Sequence, residues 1–404
     1  MRLPIIEKHD PLKCARNLCP ICMRKQAIGR VKQLIERESF FGNSPAPFVG
    51  RFNYPNIYVG ILSNEEKDNW VYDAPRYWAA NNFSIGDVVN LRSSLVNARF
   101  QTNILQRTKL LEISKEIGMA EKPVEVEINL KEKPTFNITF SSFAAPLGPV
   151  AKLKDAGITS NAKISTKVEK VVDDNYMKAQ EAINYLYKHG FDENFLSRLL
   201  SVGNVGVNMQ RRLVPTRWSL IAVQDILGKD LSEEIKNYQS VNEYLLFYRS
   251  YLGNHYFILL LPDVWSYELF ETHVNVKDEK GFLRYSTDYE SYFGRKNYAE
   301  NCAGGYYTVR LAALEWLKQQ KKQASCFVFR IIDESYTVPL GSWVTLEAAR
   351  KALLSKPIAF STREAALYYL KHHIQVKFGQ KIDNIFKDSK ILSSIKQKKL
   401  IEWH

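Results

Sequence analysis

A strict alternation of apolar and polar residues constrains the fold of this chain more than any other feature. In VEVEINLKEKPTFNITF, residues 124–140, the side chains of Val124, Val126 and Ile128 should face one way, and the apolar residues beyond KEKP repeat the pattern. Because side chains alternate across a strand, period two on both sides of a turn predicts a β-hairpin. The segment that follows, FAAPLGPVAKLKDAG, is rich in proline and glycine and is predicted to be a loop.

Helical and strand patterns are interspersed along the rest of the chain. FVGRFNYPNIYVGIL is expected to form two strands around a turn at residues 53–55, and Ser84 with Asp87 predicts a capping box before a helix. Further predicted helices cover 174–189, ENFLSRLL, 306–320 and a segment opened by Ser361-x-x-Glu364, and further predicted strands are FILLLP, WSYELFETHV and CFVFRII. We therefore expect an α+β fold, with mixed helices and largely antiparallel strands in two packed regions.

The composition is that of a soluble globular protein with a polyanionic partner. Of the 404 residues, 45% are hydrophobic and 12% are aromatic, and no stretch of about 18 apolar residues predicts a membrane span. The first residues, MRLPIIEKHDP, lack the apolar stretch of a signal peptide, so we expect a cytoplasmic protein. The net charge of +13 favours nucleic acid or an anionic membrane face as the partner.

Three of the five cysteines lie within nine residues, a spacing that favours a metal site in a reducing cytosol over disulfides. Cys19-x2-Cys22 can aim two thiolates at one ion, and Cys14 can supply a third. His9 is the nearest candidate for the fourth tetrahedral ligand of zinc, and one of the two remote cysteines is the alternative. The alternative to a metal site is three free thiols on a short basic helix.

The segment LLSVGNVGVNMQRRLVPTRWSLIAVQDILG carries the densest set of candidate binding residues. Arg211, Arg212 and Arg217 lie in or beside a predicted loop. A helix capped by Thr216 or Ser219 should begin there, and its first N–H groups together with three guanidinium groups would suit a phosphate. The alternative is a structural loop whose arginines pair with Asp or Glu elsewhere in the chain.

Three further residues belong to this prediction. Trp218 can stack on a nucleic-acid base or pack against its own helix. Arg51 and Ser142 are polar residues in segments that otherwise look like buried strands, and polar groups in such places need partners and can mark a site. The sequence contains neither a P-loop motif nor a complete GxGxxG, so no nucleotide-binding motif supports the prediction.

Signatures of catalysis are missing from the sequence, including HExxH, GxSxG and the protein-kinase motifs. The carboxylates and imidazole of Asp263, Glu268, Glu271 and His273 could hold a divalent ion for nuclease chemistry. However, Glu268 and Glu271 should point to opposite faces of a strand, so we expect them to be surface charge.

Function classes other than DNA binding stay open at this point. An enzyme acting on DNA or on a nucleotide cofactor, such as an NAD-consuming transferase or a nuclease, is the alternative. Its phosphate site would be lined by Ser142 and the four arginines named above. A third possibility is an RNA-binding protein, which competition between DNA and RNA would distinguish.

Several motifs together resemble those of one family, the archaeal Nre family of DNA repair proteins. The resemblance is carried by FVGRFNYPNIYVG, SIGDVVNLRSSLV, APLGPVAKLKDAGI, FLSRLLSVGNVGVNMQRRLVPTRWSLIAVQDILGK, YELFETH, GGYYTVRLAALEWL and PLGSWVTLEAARKAL. It extends over nearly the whole chain and implies a role in DNA damage repair.

The resemblance also implies an arrangement of regions. These are a cysteine-rich zinc-binding head at 1–40, an Nre N-terminal region at 41–275, an Nre C-terminal region at 276–390, and a tail at 391–404 that binds the sliding clamp PCNA. The family head usually has four cysteines, and three match here, so His9 would have to complete the zinc site.

The last eight residues, QKKLIEWH, are similar to a clamp-binding motif of the form Gln-x-x-aliphatic-x-x-aromatic-aromatic. Gln397, Leu400 and Trp403 match this motif, and one 3₁₀ turn would place Leu400 and Trp403 side by side as an apolar plug. His404 stands where the family has a second aromatic residue, so we expect weaker binding. The alternative is that Trp403 packs on the protein's own surface.

Overall fold

The computed structural model describes residues 36–279, 281–302 and 304–394. Residues 1–35 of the predicted zinc-binding head and residues 395–404 of the predicted clamp-binding tail therefore lie outside the described residues. Among the described residues, no helix is both long enough and apolar enough to cross a membrane.

The chain divides into two compact units. The first comprises the residues up to Leu227 together with Thr337–Trp343, and the second comprises Gly228–Tyr336 and the residues from Val344 onward. Both units combine helices with a mixed sheet, which confirms the predicted α+β class. The boundary predicted near residue 275 falls close to the end of a strand that pairs within the second unit.

A closed five-stranded barrel forms the centre of the first unit. Its strands are β1 (Ser39–Val49), β2 (Asn56–Asn64), β3 (Val96–Asn103), β4 (Val124–Leu130) and β5 (Val150–Ile158). They are joined in the order β1-β2-β3-β5-β4, and β4 pairs with β1 to close the barrel. The β3–β5 pair is parallel and the other pairs are antiparallel, which is the topology of an OB-fold.

The barrel interior is filled by the alternating apolar residues of its strands. Val126 and Ile128 of β4 are completely buried, as the period-two pattern predicts, and they join the inward residues of the other strands in one core. Ile113 and Ile117 of the helix between β3 and β4 belong to the same core. That helix therefore packs against the barrel and contributes to its apolar core.

Seven α-helices accompany the barrel within the described part of the chain. They are α1 (Pro75–Ala80), α2 (Ile85–Ser93), α3 (Lys109–Met119), α4 (Thr166–Asp173), α5 (Ala179–Lys188), α6 (Glu193–Ser201) and α7 (Thr216–Ile235), whose last residues belong to the second unit. The predicted capping box is present at α2, where the Ser84 hydroxyl accepts from the Asp87 N–H and the Asp87 carboxylate accepts from the Ser84 N–H. Helix α5 begins later than predicted and ends at Lys188, before Gly190.

The predicted hairpin across KEKP is wrong in its second half. Residues 135–140 form no strand; Thr135 and Thr139 make only isolated bridges, to Val150 and Leu147. The partner of β4 is β5, which lies in the segment predicted to be a loop. Lys152 and Lys154 of β5 are exposed and Leu153 is buried between them, so β5 has its own alternation.

The second unit is built on a six-stranded sheet with the order β11-β6-β7-β10-β8-β9. Its strands are β6 (Tyr244–Tyr251), β7 (Asn254–Leu261), β8 (Ser266–Lys277), β9 (Leu283–Glu290), β10 (Ser325–Ile332) and β11 (Ile358–Phe360). Only the β10–β8 pair is parallel. All eight residues of β7 and all eight of β10 are buried, so these two strands form the centre of the unit.

Helices pack on this sheet and complete the second unit. They are α8 (Tyr306–Gln320), α9 (Trp343–Leu353, which begins at the last residue of the first unit's second segment), α10 (Arg363–Phe378), α11 (Asp383–Asp388) and α12 (Lys390–Ser394). Leu370, Ile374 and Ile385 pack with Phe257 and Phe327 in the core on one face of the sheet. Trp316 of α8 contacts Phe247 of β6, with ring centroids 5.1 Å apart.

Candidate nucleic-acid interface

The β1–β2 connection, residues 50–55, presents a cation and two aromatic rings to solvent. Arg51 is exposed, and its guanidinium lies 4.9 Å from the ring centroid of Phe52, which is 73% exposed. Asn53 turns the chain with a φ of 61°, in the left-handed region that Asn tolerates better than most residues. Tyr54 follows and is 44% exposed. A turn at residues 53–55 between two strands was predicted from the sequence, and the structure confirms it.

The start of helix α7 is fixed beside this connection. The N–H of Val49, the last residue of β1, donates to the hydroxyl oxygen of Thr216 at 2.9 Å. The Pro215 carbonyl accepts from the N–H groups of Trp218 and Ser219 at the start of the helix. The Thr216 hydroxyl, which was predicted as a possible helix cap, accepts from β1 instead. This link places Trp218 against Tyr54, with ring centroids 5.2 Å apart.

The connection between β4 and β5 supplies a third part of the same surface. Its Phe143 ring lies 3.6 Å from the guanidinium carbon of Arg217 in α7. Two anchors hold this connection in place. The Phe143 carbonyl accepts from both the N–H and the hydroxyl of Ser342 at 3.0 Å, and the Pro146 carbonyl accepts from the Nε of Arg92 at 2.9 Å.

Arg92 is a buried cation whose bonds are all directed inward. It also donates to the Tyr72 carbonyl at 3.0 Å and to the Asp73 carboxylate at 2.8 Å. Burial lowers the pKa of Arg92, and the charge of Asp73 acts in the opposite direction. Arg92 therefore anchors the β4–β5 connection and is not available to a ligand.

Unlike the buried Arg92, Arg51 and Arg217 lie at the surface. Burial lowers the pKa of Arg217, and the nearby positive charge of Arg51 lowers it further. Within the described residues, no carboxylate forms an ion pair with either arginine. Two neighbouring cations without a neutralising carboxylate among the described residues favour the arrival of an anion.

We call this set of side chains the rim surface. It consists of Arg51, Phe52, Tyr54, Phe143, Arg217 and Trp218. The outer side of β2 and β3 continues it with Tyr58 and Arg99, where the guanidinium lies 4.9 Å from the ring centroid. In barrels of this topology, the β2–β3 face and the β1–β2 and β4–β5 connections bind oligonucleotides or oligosaccharides. The fold alone does not identify the ligand, and it is the side chains of the rim surface that favour a nucleic acid.

The other predicted arginines have different surroundings. Arg211 donates to the carbonyls of Gly206, Val172 and Asp174 at 2.7, 2.7 and 2.8 Å. These bonds fix the loop before α7, and they use most of the donor groups of Arg211. Arg212 is exposed and lines a cleft of about 920 Å³, together with the basic residues Arg107, Lys109 and Lys115.

The candidate phosphate residues are therefore not brought together as one group. Arg51 and Arg217 lie close together, whereas the cleft that Arg211 and Arg212 line includes neither Arg51, Arg217 nor Ser142. Ser142 is exposed in the β4–β5 connection.

The acidic residues of β8 are not surface charge, and that prediction is wrong. Glu268 is buried and accepts from the Ser389 hydroxyl at 2.5 Å and from the N–H of Ile391 at 3.1 Å. Glu271 forms an ion pair with Arg330 at 2.5 Å. The two carboxylates face opposite sides of the sheet, as predicted, and each is used by a structural contact. No group of three or more potential metal ligands occurs among the described residues.

Phe52, Tyr54 and Phe143 were missed as binding residues by the sequence analysis. The available signal was the alternation of cation and ring in Arg51–Phe52 and Arg217–Trp218, two copies of one dipeptide pattern far apart in the chain. Their proximity depends on the Val49–Thr216 bond, which the sequence does not reveal.

The comparisons with known proteins cover most of the chain. A model of the archaeal Nre N-terminal region matches residues 13–276, and one of the archaeal Nre C-terminal region matches residues 290–403. Similar proteins include DNA repair protein NreA of Archaeoglobus fulgidus, which is 36% identical over 92% of this chain and 94% of its own length. DNA repair protein NreB of the same organism is 33% identical over 94% and 95%, and DNA repair protein NreA of Haloferax volcanii is 35% identical over 80% of each chain. No solved structure matches the chain.

Proposed function

The chain belongs to the archaeal Nre family, and on this premise we propose that it is a DNA repair protein that binds DNA through the rim surface. The names of its relatives support the repair role. The net charge of +13 supports a polyanionic partner. The observation that carries the proposal is the pair of neighbouring cations, Arg51 and Arg217, set among exposed rings without a carboxylate partner in the described structure.

The test is the double substitution Arg51→Ala with Arg217→Ala, measured by fluorescence anisotropy on labelled DNA at several salt concentrations. Loss of two phosphate contacts should weaken binding about tenfold or more and reduce the slope of log K against log salt by about 1.8 on a duplex or about 1.4 on a single strand. A matched control is Arg284→Ala, which removes an exposed arginine from β9. An unchanged slope in the double variant would show that DNA binds elsewhere.

We also propose recruitment by the sliding clamp PCNA through the C-terminal residues Gln397, Leu400, Trp403 and His404. The motif supports this proposal, and its residues lie outside the described part of the chain. Deletion of 397–404 should abolish clamp binding and leave DNA affinity nearly unchanged. A pull-down in which the truncated protein still retains the clamp would contradict the proposal.

Zinc at Cys14, Cys19, Cys22 and His9 is likewise a proposal that comes from the sequence, because these residues lie outside the described ones. Thiolates at this spacing bind zinc tetrahedrally when a fourth ligand is present. Metal analysis of the purified protein and of Cys19→Ser tests it. Equal zinc content in the two proteins would remove Cys19 from the site.

A further inference from the structure

We propose that the rim surface binds unpaired bases of single-stranded DNA, which stack on Phe52 and on the Tyr54–Trp218 pair while Arg51 and Arg217 contact the phosphates. This inference rests on the proposed DNA-binding function and specifies the form of DNA that the surface takes. Its basis is the close alternation of rings and cations on one exposed surface.

Three aromatic rings of the rim surface are exposed to solvent. Phe52 is 73% exposed, and Tyr54 and Trp218 remain 44% and 43% exposed even though they contact each other. Exposed apolar rings gathered in one place indicate a binding site, because leaving them in water is unfavourable. A flat aromatic ring is the group on which a base stacks without regard to sequence.

Exposed rings suit a single strand better than a duplex. In a duplex the faces of the bases are covered by their neighbours, and a protein meets mainly phosphates and base edges. Rings such as Phe52 would have little to contact there unless the duplex were opened. A single strand offers both an accessible base face and a phosphate at each nucleotide, and this alternation matches the adjacent Arg51–Phe52 and Arg217–Trp218 pairs.

The two cations of the rim surface each lie against an aromatic ring. The Arg51 guanidinium lies 4.9 Å from the Phe52 ring, and the Arg217 guanidinium lies 3.6 Å from the Phe143 ring. Each arginine is thus supported by a ring and has no carboxylate partner among the described residues. An acidic peptide would also satisfy the charges, but it would offer no flat group for the three exposed rings, so a single strand fits the whole surface better.

The experiment compares a single strand with natural bases, the same strand with abasic sites in place of all its internal bases, and the corresponding duplex. Wild-type protein should bind the natural single strand at least about tenfold more tightly than either of the others, since stacking on even one ring contributes about 1.4 kcal/mol. Phe52→Ala should weaken binding of the natural strand and leave binding of the abasic strand unchanged. Trp218→Ala should do the same.

A matched control is Phe293→Ala, because Phe293 is 91% exposed and lies in the second unit. It should leave the affinities for the natural strand, the abasic strand and the duplex unchanged. Thermal unfolding of each variant checks that the fold is kept, and the exposure of Phe52 makes Phe52→Ala the safest variant.

Two results would overturn the inference. One is equal wild-type affinity for the natural and abasic strands, and the other is equal loss on both strands in Phe52→Ala. In either case the Arg51→Ala/Arg217→Ala variant distinguishes failure of the single-strand proposal from failure of the proposed DNA-binding function. If it still weakens binding, the rim surface contacts DNA through phosphates alone; if it has no effect, the proposed DNA-binding site itself fails.

Discussion

The arginines of the rim surface and the buried arginines of the second unit differ in how their charges are neutralised. Arg310 and Arg330 are buried and pair with Glu290 at 2.8 Å and with Glu271 at 2.5 Å. Arg51 and Arg217 face each other's charge, and no described carboxylate neutralises them. A buried cation must have its partner within the fold, whereas a cation at the surface can leave that role to a ligand. We therefore expect substitutions at Arg310 and Arg330 to affect stability, and substitutions at Arg51 and Arg217 to affect the proposed binding.

The largest effect expected from this comparison is on stability. Glu290 accepts from Arg310, from the Tyr306 hydroxyl and from the Trp265 indole. Glu290→Gln removes the charged partner of a buried ion pair, which should lower the free energy of unfolding by about 3 kcal/mol or more. Chemical denaturation measures this.

DNA affinity of the folded Glu290→Gln variant should stay unchanged. The exposed Glu300→Gln is the matched control and should leave the unfolding midpoint in place. A midpoint equal to that of the wild type in Glu290→Gln would mean that the buried pair is not needed.

A smaller effect, on both stability and DNA affinity, is expected at Arg92, which is buried and holds the β4–β5 connection of the rim surface. Arg92→Lys keeps the charge beside Asp73 but loses the bond from Nε to the Pro146 carbonyl. We expect a loss of about 1.5–3 kcal/mol in the free energy of unfolding. Because the β4–β5 connection carries Phe143 beneath Arg217, DNA binding should also weaken a few-fold. Reduced stability without any change in affinity would show that the Arg92 bond is not needed to hold Phe143 in place.

The smallest effect is expected from Arg217→Lys. Lysine keeps the charge and loses the planar group that lies over Phe143. Stability should fall by no more than about 1 kcal/mol, and DNA affinity by about threefold, with the salt slope preserved. A loss of affinity as large as that of Arg217→Ala would mean that geometry, and not charge, dominates at this position.

The sequence predicted the kinds of elements better than their partners. Period two at residues 136–140 does describe alternating exposure, since Phe136, Ile138 and Phe140 are each half-buried between exposed polar residues. Alternation shows that a segment has two faces, but it does not identify which strand it pairs with. The partner of β4 is β5, and the glycine and prolines before β5 made that strand look like a loop in the sequence.

The candidate nucleic-acid interface was also predicted only in part. Arg51, Arg217 and Trp218 were singled out by residue type, and the structure brings them together with Tyr54 and Phe143. Arg211 and Arg212 are neighbours in the chain, yet one is bonded to three carbonyls and the other is exposed. Residue type and spacing do not distinguish these two cases, because the difference lies in the carbonyls of a distant helix and loop.

Closure of the barrel has a consequence for how the protein tolerates such a surface. An open sheet has an outer strand with unpaired N–H and C=O groups, to which a strand of another molecule can add. In the barrel, residues 39–44 of β1 pair with β4 and residues 43–49 pair with β2, and at the end beside the exposed rings the Val49 N–H donates to the Thr216 hydroxyl. Each N–H group that is bonded within the fold removes a point at which another strand could add beside the rings, so the rings can stay exposed with less risk of strand-by-strand aggregation.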